Sequence, residues 1–220
     1  MIINKTATRF AKLFAVITSL TLICAFVAAC FSYEPAATTT IASSAVMPNP
    51  EDLLSGKHHV EIDVKDYGTI TLELDADIAP ITVTNFVNLA NDGFYNGLTF
   101  HRIMDGFMIQ GGDPQGNGMG GSGQNIIGEF ASNGYDNKIS HLRGVISMAR
   151  NGQDYNSASS QFFIVQADSQ FLDGDYAAFG HVTSGLEIVD KICIDTPVQD
   201  DNGSVASGDQ PVITEVRVID

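Results

Sequence analysis

Phe100-His101-Arg102-Ile103-Met104-Asp105-Gly106-Phe107-Met108-Ile109-Gln110-Gly111-Gly112-Asp113 is the stretch of this 220-residue chain that decides its architecture. Phe100 to Ile103 and Phe107 to Gln110 are short and mostly apolar, as half-buried strands are. Met104-Asp105-Gly106 between them has turn chemistry, because Asp bonds its own backbone and Gly accepts a positive φ. The glycine-rich run Gly111 to Gly123 then ends the pair in an irregular loop. Side chains alternate across a strand, so Phe100 and Arg102 are expected on one face and His101 and Ile103 on the other. By the same period Met108 and Gln110 share a face, as do Gln161 and Phe163 further on. One permanent cation, two amides and a wall of Phe and Met suit a neutral, partly apolar substrate with a carbonyl to be held. The pattern equally admits Arg102 as half of a structural ion pair.

Working outward, Val60-Glu61-Ile62-Asp63-Val64 and Thr69 to Leu74 alternate cleanly, and Asp66-Tyr67-Gly68 between them makes a hairpin. Pro80 stands at a first helical turn, Val83, Phe86, Val87 and Ala90 recur at helical spacing, and Gly93 follows as a stop. Further strands are expected at Gly144 to Ala149, Gln161 to Gln166, Ala177 to Val182 and Val212 to Ile219, with a second helix at Leu186 to Ile192. Many short strands and two helices predict a mainly β fold, a closed antiparallel barrel capped by α-helices. No internal repeat is present.

Residues 1 to 12 carry Lys5, Arg9 and Lys12 and no acid, and residues 13 to 29 are almost wholly apolar. This is the charged head and apolar run of an export signal, with small residues at its end. Val27-Ala28-Ala29-Cys30 resembles the lipobox of bacterial lipoproteins. That resemblance implies cleavage before Cys30, acylation of its sulfur, and a membrane-anchored lipoprotein on an extracytoplasmic face. An ordinary signal peptide with an incidental cysteine is the competing reading. Residues 30 to 55, rich in Ala, Ser, Thr and Pro, read as a flexible tether. The folded domain is expected over 56 to 220, and about 160 residues are ample for a core.

All 26 acids follow residue 30, as do eight of the 11 Lys and Arg, so the chain beyond the signal carries 8 − 26 = −18 formal charges. Nucleic acid is thereby argued against as a partner, since phosphate binding needs clustered cations. Electrostatic docking on anionic lipid is argued against too. Once Cys24 leaves with the signal and Cys30 is acylated, Cys193 has no disulfide partner. Its apolar surroundings, L-E-I-V-D-K-I-C-I, make it an inert core thiol. His58-His59 is a poor chelate because adjacent strand residues point to opposite faces. The glycine-rich loop lacks the Lys and the strand-to-helix setting of a phosphate loop. His141 reads as a core-bonding residue, and Asp173-Gly174 as a turn.

No G-x-S-x-G elbow and no H-E-x-x-H is present, and no carboxylate pair stands out for acid and base work, so a reaction that breaks no covalent bond fits best. Rotation of an X–Pro amide meets a barrier of roughly 18–20 kcal/mol, because the nitrogen shares its lone pair with the carbonyl. A donor aimed at that nitrogen favours the twisted, pyramidal state, where the lone pair is freed.

Five motifs occur in order. They are F-H-R-I-x-x-G-F-M-I-Q-G-G-D (100 to 113), G-x-G-G (118 to 121), H-x-x-G-x-I-S-M-A (141 to 149), S-Q-F-F-I (160 to 164) and L-D-G-x-Y-A-A-F-G-x-V (172 to 182). Over residues 58 to 220 the chain resembles the cyclophilin family of peptidyl-prolyl isomerases. The resemblance implies a closed eight-stranded barrel with two capping helices, and no cofactor or metal. It makes Arg102 the catalytic cation and gives Gln110 the substrate backbone. Phe107, Met108, Phe163 and Leu172 would form the proline pocket, and Ala149 and Gln161 the groove for residues before the proline. Phe171 stands where eukaryotic relatives usually have Trp, which implies weak cyclosporin binding. Tyr176 stands where they often have His, and should close the pocket floor. Arg150 stands where many have Asn, a position used mainly through its backbone carbonyl. The segment 151 to 159 is longer than in short members.

The expected protein is thus a monomeric, lipid-anchored isomerase acting on proline-containing segments of exported or unfolded proteins. The alternative from the same residues is a chaperone or adaptor that grips such segments with little turnover.

Overall fold

The computed structural model describes Ala45 and residues 48–220. The expected export signal, lipobox and Cys30 lie outside the described residues, as does most of the tether. The tether's end is described, and it belongs to the fold. A 3-10 turn at Pro50–Asp52 leads into Leu53 and Leu54, which pack on the core, and the Leu54 amide donates to Thr84 Oγ1 at 2.9 Å. Folded structure therefore starts a few residues before Gly56.

Eight strands form one antiparallel sheet: β1 (Lys57–Val64), β2 (Gly68–Asp75), β3 (Phe100–Met104), β4 (Met108–Gly111), β5 (Val145–Met148), β6 (Phe162–Val165), β7 (Ala178–Ser184) and β8 (Ile213–Val218). Their order across the sheet is β3-β4-β6-β5-β7-β2-β1-β8. Two helices pack on it, α1 (Pro80–Asn91) and α2 (Leu186–Asp195). The alternating strands are half-buried, as their sequences dictate: β1 hides Val60, Ile62 and Val64, and β2 hides Ile70, Leu72 and Leu74. In β5 and β6 every residue is buried, because both faces of the sheet are covered there.

The expected closure into a barrel is corrected: the sheet curls into a half-barrel. β3 and β8, at the two ends of the order, form no ladder. The chain leading into each meets at an isolated Thr99–Val212 bridge, with Phe100 N donating to Pro211 O (2.9 Å), Ile213 N to Leu98 O (2.8 Å) and Gly97 N to Ile213 O (2.8 Å). The free edge of β3 is occupied by residues 203–205 instead. Ile103 N donates to Gly203 O (2.8 Å), and Val205 N to His101 O (3.0 Å). Pro211, just before β8, has no N–H with which to extend a ladder.

The inner face of the sheet holds the main core, where Phe86 of α1 meets Phe162 edge-on at 5.5 Å and Phe179 at 5.3 Å. The outer face carries a smaller cluster of Met108, Val145, Phe163, Val165, Leu172 and Ala178. That second cluster is the floor of the site.

The start of α1 is capped from afar. Ala79 offers no side-chain cap, and the buried carboxylate of Glu129 takes the role. It accepts from Ile81 N (3.0 Å), Thr82 N (2.7 Å) and Thr82 Oγ1 (2.7 Å). A carboxylate there satisfies orphan N–H groups and complements the positive end of the helix dipole. Cys193, on α2, is buried, and burial pushes its thiol up to about 12. His58 Nδ1 lies 2.7 Å from Asp220 Oδ2, and the His59 amide donates to the same carboxylate. Both histidines thus serve to hold the C-terminus on β1.

Candidate active site

A β-bulge sets Arg102. The β3–β4 register runs Phe100↔Gly111 and then Arg102↔Gln110, so two residues of β3 oppose one step of β4. The alternation expected across β3 is broken there. Phe100 is fully buried and edge-on to Phe162 at 6.1 Å, in the main core with Ile103, whereas Arg102 turns to the outer face. Phe100 and Arg102 therefore do not share a face, and the aromatic beside the guanidinium is Phe107, at 6.0 Å. His101, beside the bulge, is buried, and burial lowers its pKa.

Three acceptors hold the Arg102 guanidinium, none of them a carboxylate. Nε donates to Asn202 O (2.8 Å), Nη1 to Gln110 Oε1 (3.1 Å) and Nη2 to the Met104 sulfur (3.0 Å). The structural ion pair that its sequence setting admits is absent among the described residues. Desolvation lowers the pKa of Arg102 somewhat, with Tyr176 and Asp200 opposing. A guanidinium keeps its proton in a protein regardless.

Behind Arg102 runs a chain of amides. Gln110 Nε2 donates to Gln161 Oε1 (2.9 Å), and Gln161 Nε2 donates to Gly118 O (3.1 Å) and Gly120 O (2.7 Å). The glycine loop is in turn wrapped on the buried carboxylate of Asp113, which accepts from Gln115 N (2.8 Å), Asn117 N (3.0 Å) and Gly118 N (2.6 Å). Burial alone would raise the pKa of Asp113, but these backbone donors outweigh it and hold the carboxyl below its usual range. A Cβ at Gly120 would fall 2.1 Å from Asp113 Oδ1, so only glycine fits there. Each member of the chain fixes the next, from Asp113 through Gln161 and Gln110 to Arg102.

Beside the guanidinium lies a cavity of about 280 Å³. The structure gathers around it Arg102, Phe107, Met108, Gln110, Ala149, Arg150, Phe163, Phe171, Leu172 and Tyr176. Phe163 forms its back wall, steadied by Tyr176 edge-on at 6.0 Å and by His141 stacked at 6.0 Å. His141 is buried, its nitrogens 2.9 Å from Asp173 Oδ1 and 3.0 Å from Ser147 Oγ. Burial lowers its pKa against the pull of Asp173. It supports a wall and faces no cavity. Phe171 packs tilted against Phe107, their rings 5.5 Å apart, and is 74% exposed, so it forms the rim.

A second cavity, about 310 Å³, adjoins the first and shares Gln110, Ala149 and Arg150 with it. Gln161, Gly118, Met119 and Gly120 complete one side, and Asn151, Ser157 and Ser159 the other. Ala149 and Gln161 both line this second cavity. Two contributors were not legible in the sequence. The Asn202 carbonyl comes from a loop a hundred residues away, with nothing local to mark it. The Arg150 side chain lies over three rings, Tyr176 at 4.7 Å, Tyr155 at 5.0 Å and Phe130 at 5.1 Å. Its only sequence signal is a cation directly after the β5 motif.

The described residues thus present a fixed cation at the edge of an apolar cavity big enough for a small ring, next to a groove lined with amide and backbone polar groups. Residues 59–218 match the family model described as cyclophilin type peptidyl-prolyl cis-trans isomerase/CLD. A peptidyl-prolyl cis-trans isomerase of Helicobacter pylori is 51% identical over 127 residues, 57% of this chain and 74% of the relative. The peptidyl-prolyl cis-trans isomerase B of Bacillus subtilis is 48% identical over 124 residues, 56% of this chain and 82% of the relative. A crystal structure of a Cryptosporidium parvum cyclophilin type isomerase, solved in the presence of the dipeptide Ala-Pro, superposes with a TM-score of 0.65 at 30% identity. That match covers 74% of this chain and 99% of that one.

Proposed function

The chain belongs to the cyclophilin-type peptidyl-prolyl cis-trans isomerases, and from that premise we propose that the cavity beside Arg102 seats a proline ring while Arg102 donates a hydrogen bond to the prolyl nitrogen as the X–Pro bond twists. The observation that carries this reading is the setting of the guanidinium. It is fixed by a carbonyl, an amide and a thioether, bonds to no carboxylate among the described residues, and stands at the mouth of a largely apolar cavity.

In planar ground states the prolyl nitrogen is no acceptor, because its lone pair is delocalised. At the twisted state the lone pair localises, and a donor already in place gains a bond that substrate binding does not supply. Nη2 is the donor best placed to give it, since its partner in the free enzyme is a weakly accepting sulfur. Phe107, Met108, Phe163 and Leu172 hold the ring and exclude water, which strengthens that bond. Gln110 holds substrate backbone, and the groove beyond Ala149 takes the residues before the proline. No acid or base is needed. A dipeptide Ala-Pro accompanies the Cryptosporidium relative, which supports an X–Pro unit as the ligand.

We extend the proposal to the setting: proline-containing segments of exported or unfolded proteins are the substrates, and acylated Cys30 tethers the enzyme to an extracytoplasmic membrane face. A protease-coupled isomerisation assay on an Ala-Ala-Pro-Phe peptide tests the catalytic part. Turnover above the uncatalysed rate supports it, and a rate equal to buffer leaves only a proline-segment binder.

A further inference from the structure

The described residues contain four arginines, 102, 143, 150 and 217, and their partners divide them into two pairs. Arg143 is doubly bonded to Asp190 at 2.6 and 2.7 Å. Arg217 is bonded to Glu61, Asp63 and Glu215. Arg102 and Arg150 have no carboxylate partner among the described residues, and both line the cavity beside Arg102. In a chain that carries 26 acids, neither this cavity nor the adjoining groove has a single acidic lining residue.

Arg150 lies on the wall that the cavity and the groove share. Its Nε donates to Asp175 O (2.8 Å) and its Nη1 to Asn151 O (2.9 Å), while Nη2 has no acceptor among the described residues. The rings of Phe130, Tyr155 and Tyr176, all within 5.1 Å, hold the guanidinium plane. Aromatic faces favour the charge and fix the side chain in advance, so little freedom is lost when a ligand meets it. Asp175, whose carbonyl accepts from Arg150, turns its carboxylate to Ser132 Oγ (2.6 Å), so the only charged side chains lining the cavity and the groove are the two guanidiniums, Arg102 in the cavity and Arg150 in both.

We propose that Arg150 is a specificity-determining residue that selects substrates carrying a carboxylate one or two residues before the proline. The free Nη2 donates to a Glu or Asp side chain lying in the groove, while the adjacent proline sits beside Arg102. The inference rests on the isomerase reading above. It assigns a chemistry to the groove side of the substrate, which Arg102 itself does not discriminate.

The test compares kcat/KM, measured by exchange NMR so that no protease preference intrudes, for Ala-Glu-Pro-Phe against Ala-Gln-Pro-Phe and for Glu-Ala-Pro-Phe against Gln-Ala-Pro-Phe. At low ionic strength the wild-type chain should prefer Glu over Gln by roughly three- to five-fold in at least one pair. High salt should remove the preference, Arg150→Gln should abolish it, and Arg150→Lys should retain part of it. Equal Glu/Gln ratios in wild type and Arg150→Gln, or a wild-type ratio of one or less, overturn the proposal. Should Arg150→Gln fail to fold, the salt dependence of the wild-type ratio decides the matter, and a salt-independent ratio overturns it. Absence of turnover on neutral Ala-Ala-Pro-Phe overturns the isomerase reading and this inference together, whereas turnover with flat ratios overturns this inference alone.

Discussion

At the residue scale, what distinguishes Arg102 is its support. Its identity was plain in the motif that opens with Phe100, whereas its pairing with Gln110 came only from the strand register. Its orientation was not plain either, because strict alternation places Phe100 beside it, and the bulge at His101 sends Phe100 into the core instead. A bulge is set by what both strand edges pair with, and one edge here pairs with residues 203–205, far along the chain. The amide chain makes a prediction of its own. Gln161→Ala leaves the Gln110 amide without its acceptor and should lower kcat/KM by about ten-fold while shifting Tm little, since the side chain is only half-buried. Gly120→Ala is predicted to differ: its Cβ would displace the Asp113 carboxylate, and about 2–3 kcal/mol of stability should be lost together with activity. Thermal melts of the two variants beside their rates separate the cases.

At the scale of elements, sequence period located every strand and both helices, because burial alternates wherever one face of the sheet is wet. Two features escaped that logic. The barrel seam stays open because the edge of β3 is already occupied and Pro211 precedes β8. The cap of α1 comes from Glu129, 48 residues beyond Ile81, where local capping rules give no sign of it. Removing that carboxylate leaves buried N–H groups unsatisfied, so Glu129→Ala should cost about 2 kcal/mol, roughly 4–8 °C in Tm. Calorimetry should find this loss with the catalytic constants of the folded protein unchanged, because Glu129 lines neither cavity.

At the scale of the whole molecule, pH acts on stability and on rate through different groups. His101 and His141 are both held below their ordinary pKa by burial. Unfolded, they take up protons near 6.5, so the unfolded state binds more protons as pH falls through that value, and stability falls with it. Glu129, raised by burial, acts in the opposite sense, one carboxylate against two histidines. Asp63, Asp113, Asp173, Asp190 and Asp220 are held below 3.8 and withdraw their contributions only in stronger acid. Tm should therefore be level between about pH 7 and 8, decline from about pH 6.5 downward, and decline again in stronger base as the unfolded Cys193 thiol gives up a proton that the native one keeps, as melts across a buffer series would reveal. The donor role proposed for Arg102 needs no titrating group, so kcat/KM should stay flat between about pH 6 and 9, and a bell-shaped profile would expose a hidden acid or base. The proposed anchor predicts that Cys30→Ser moves the protein from the membrane to the soluble fraction, with residue 30 the N-terminus of the wild-type mature chain.

The most direct test of the central claim measures kcat/KM and Tm together for wild type, Arg102→Ala and Arg102→Lys. A preorganised donor that acts at the twisted state predicts a fall of about 100-fold or more in Arg102→Ala with Tm nearly unchanged. It also predicts little recovery in Arg102→Lys, because an ammonium cannot reach Asn202 O, Gln110 and the prolyl nitrogen together. Wild-type rates in either variant, or a fall in activity that merely follows a matching fall in Tm, would contradict the claim.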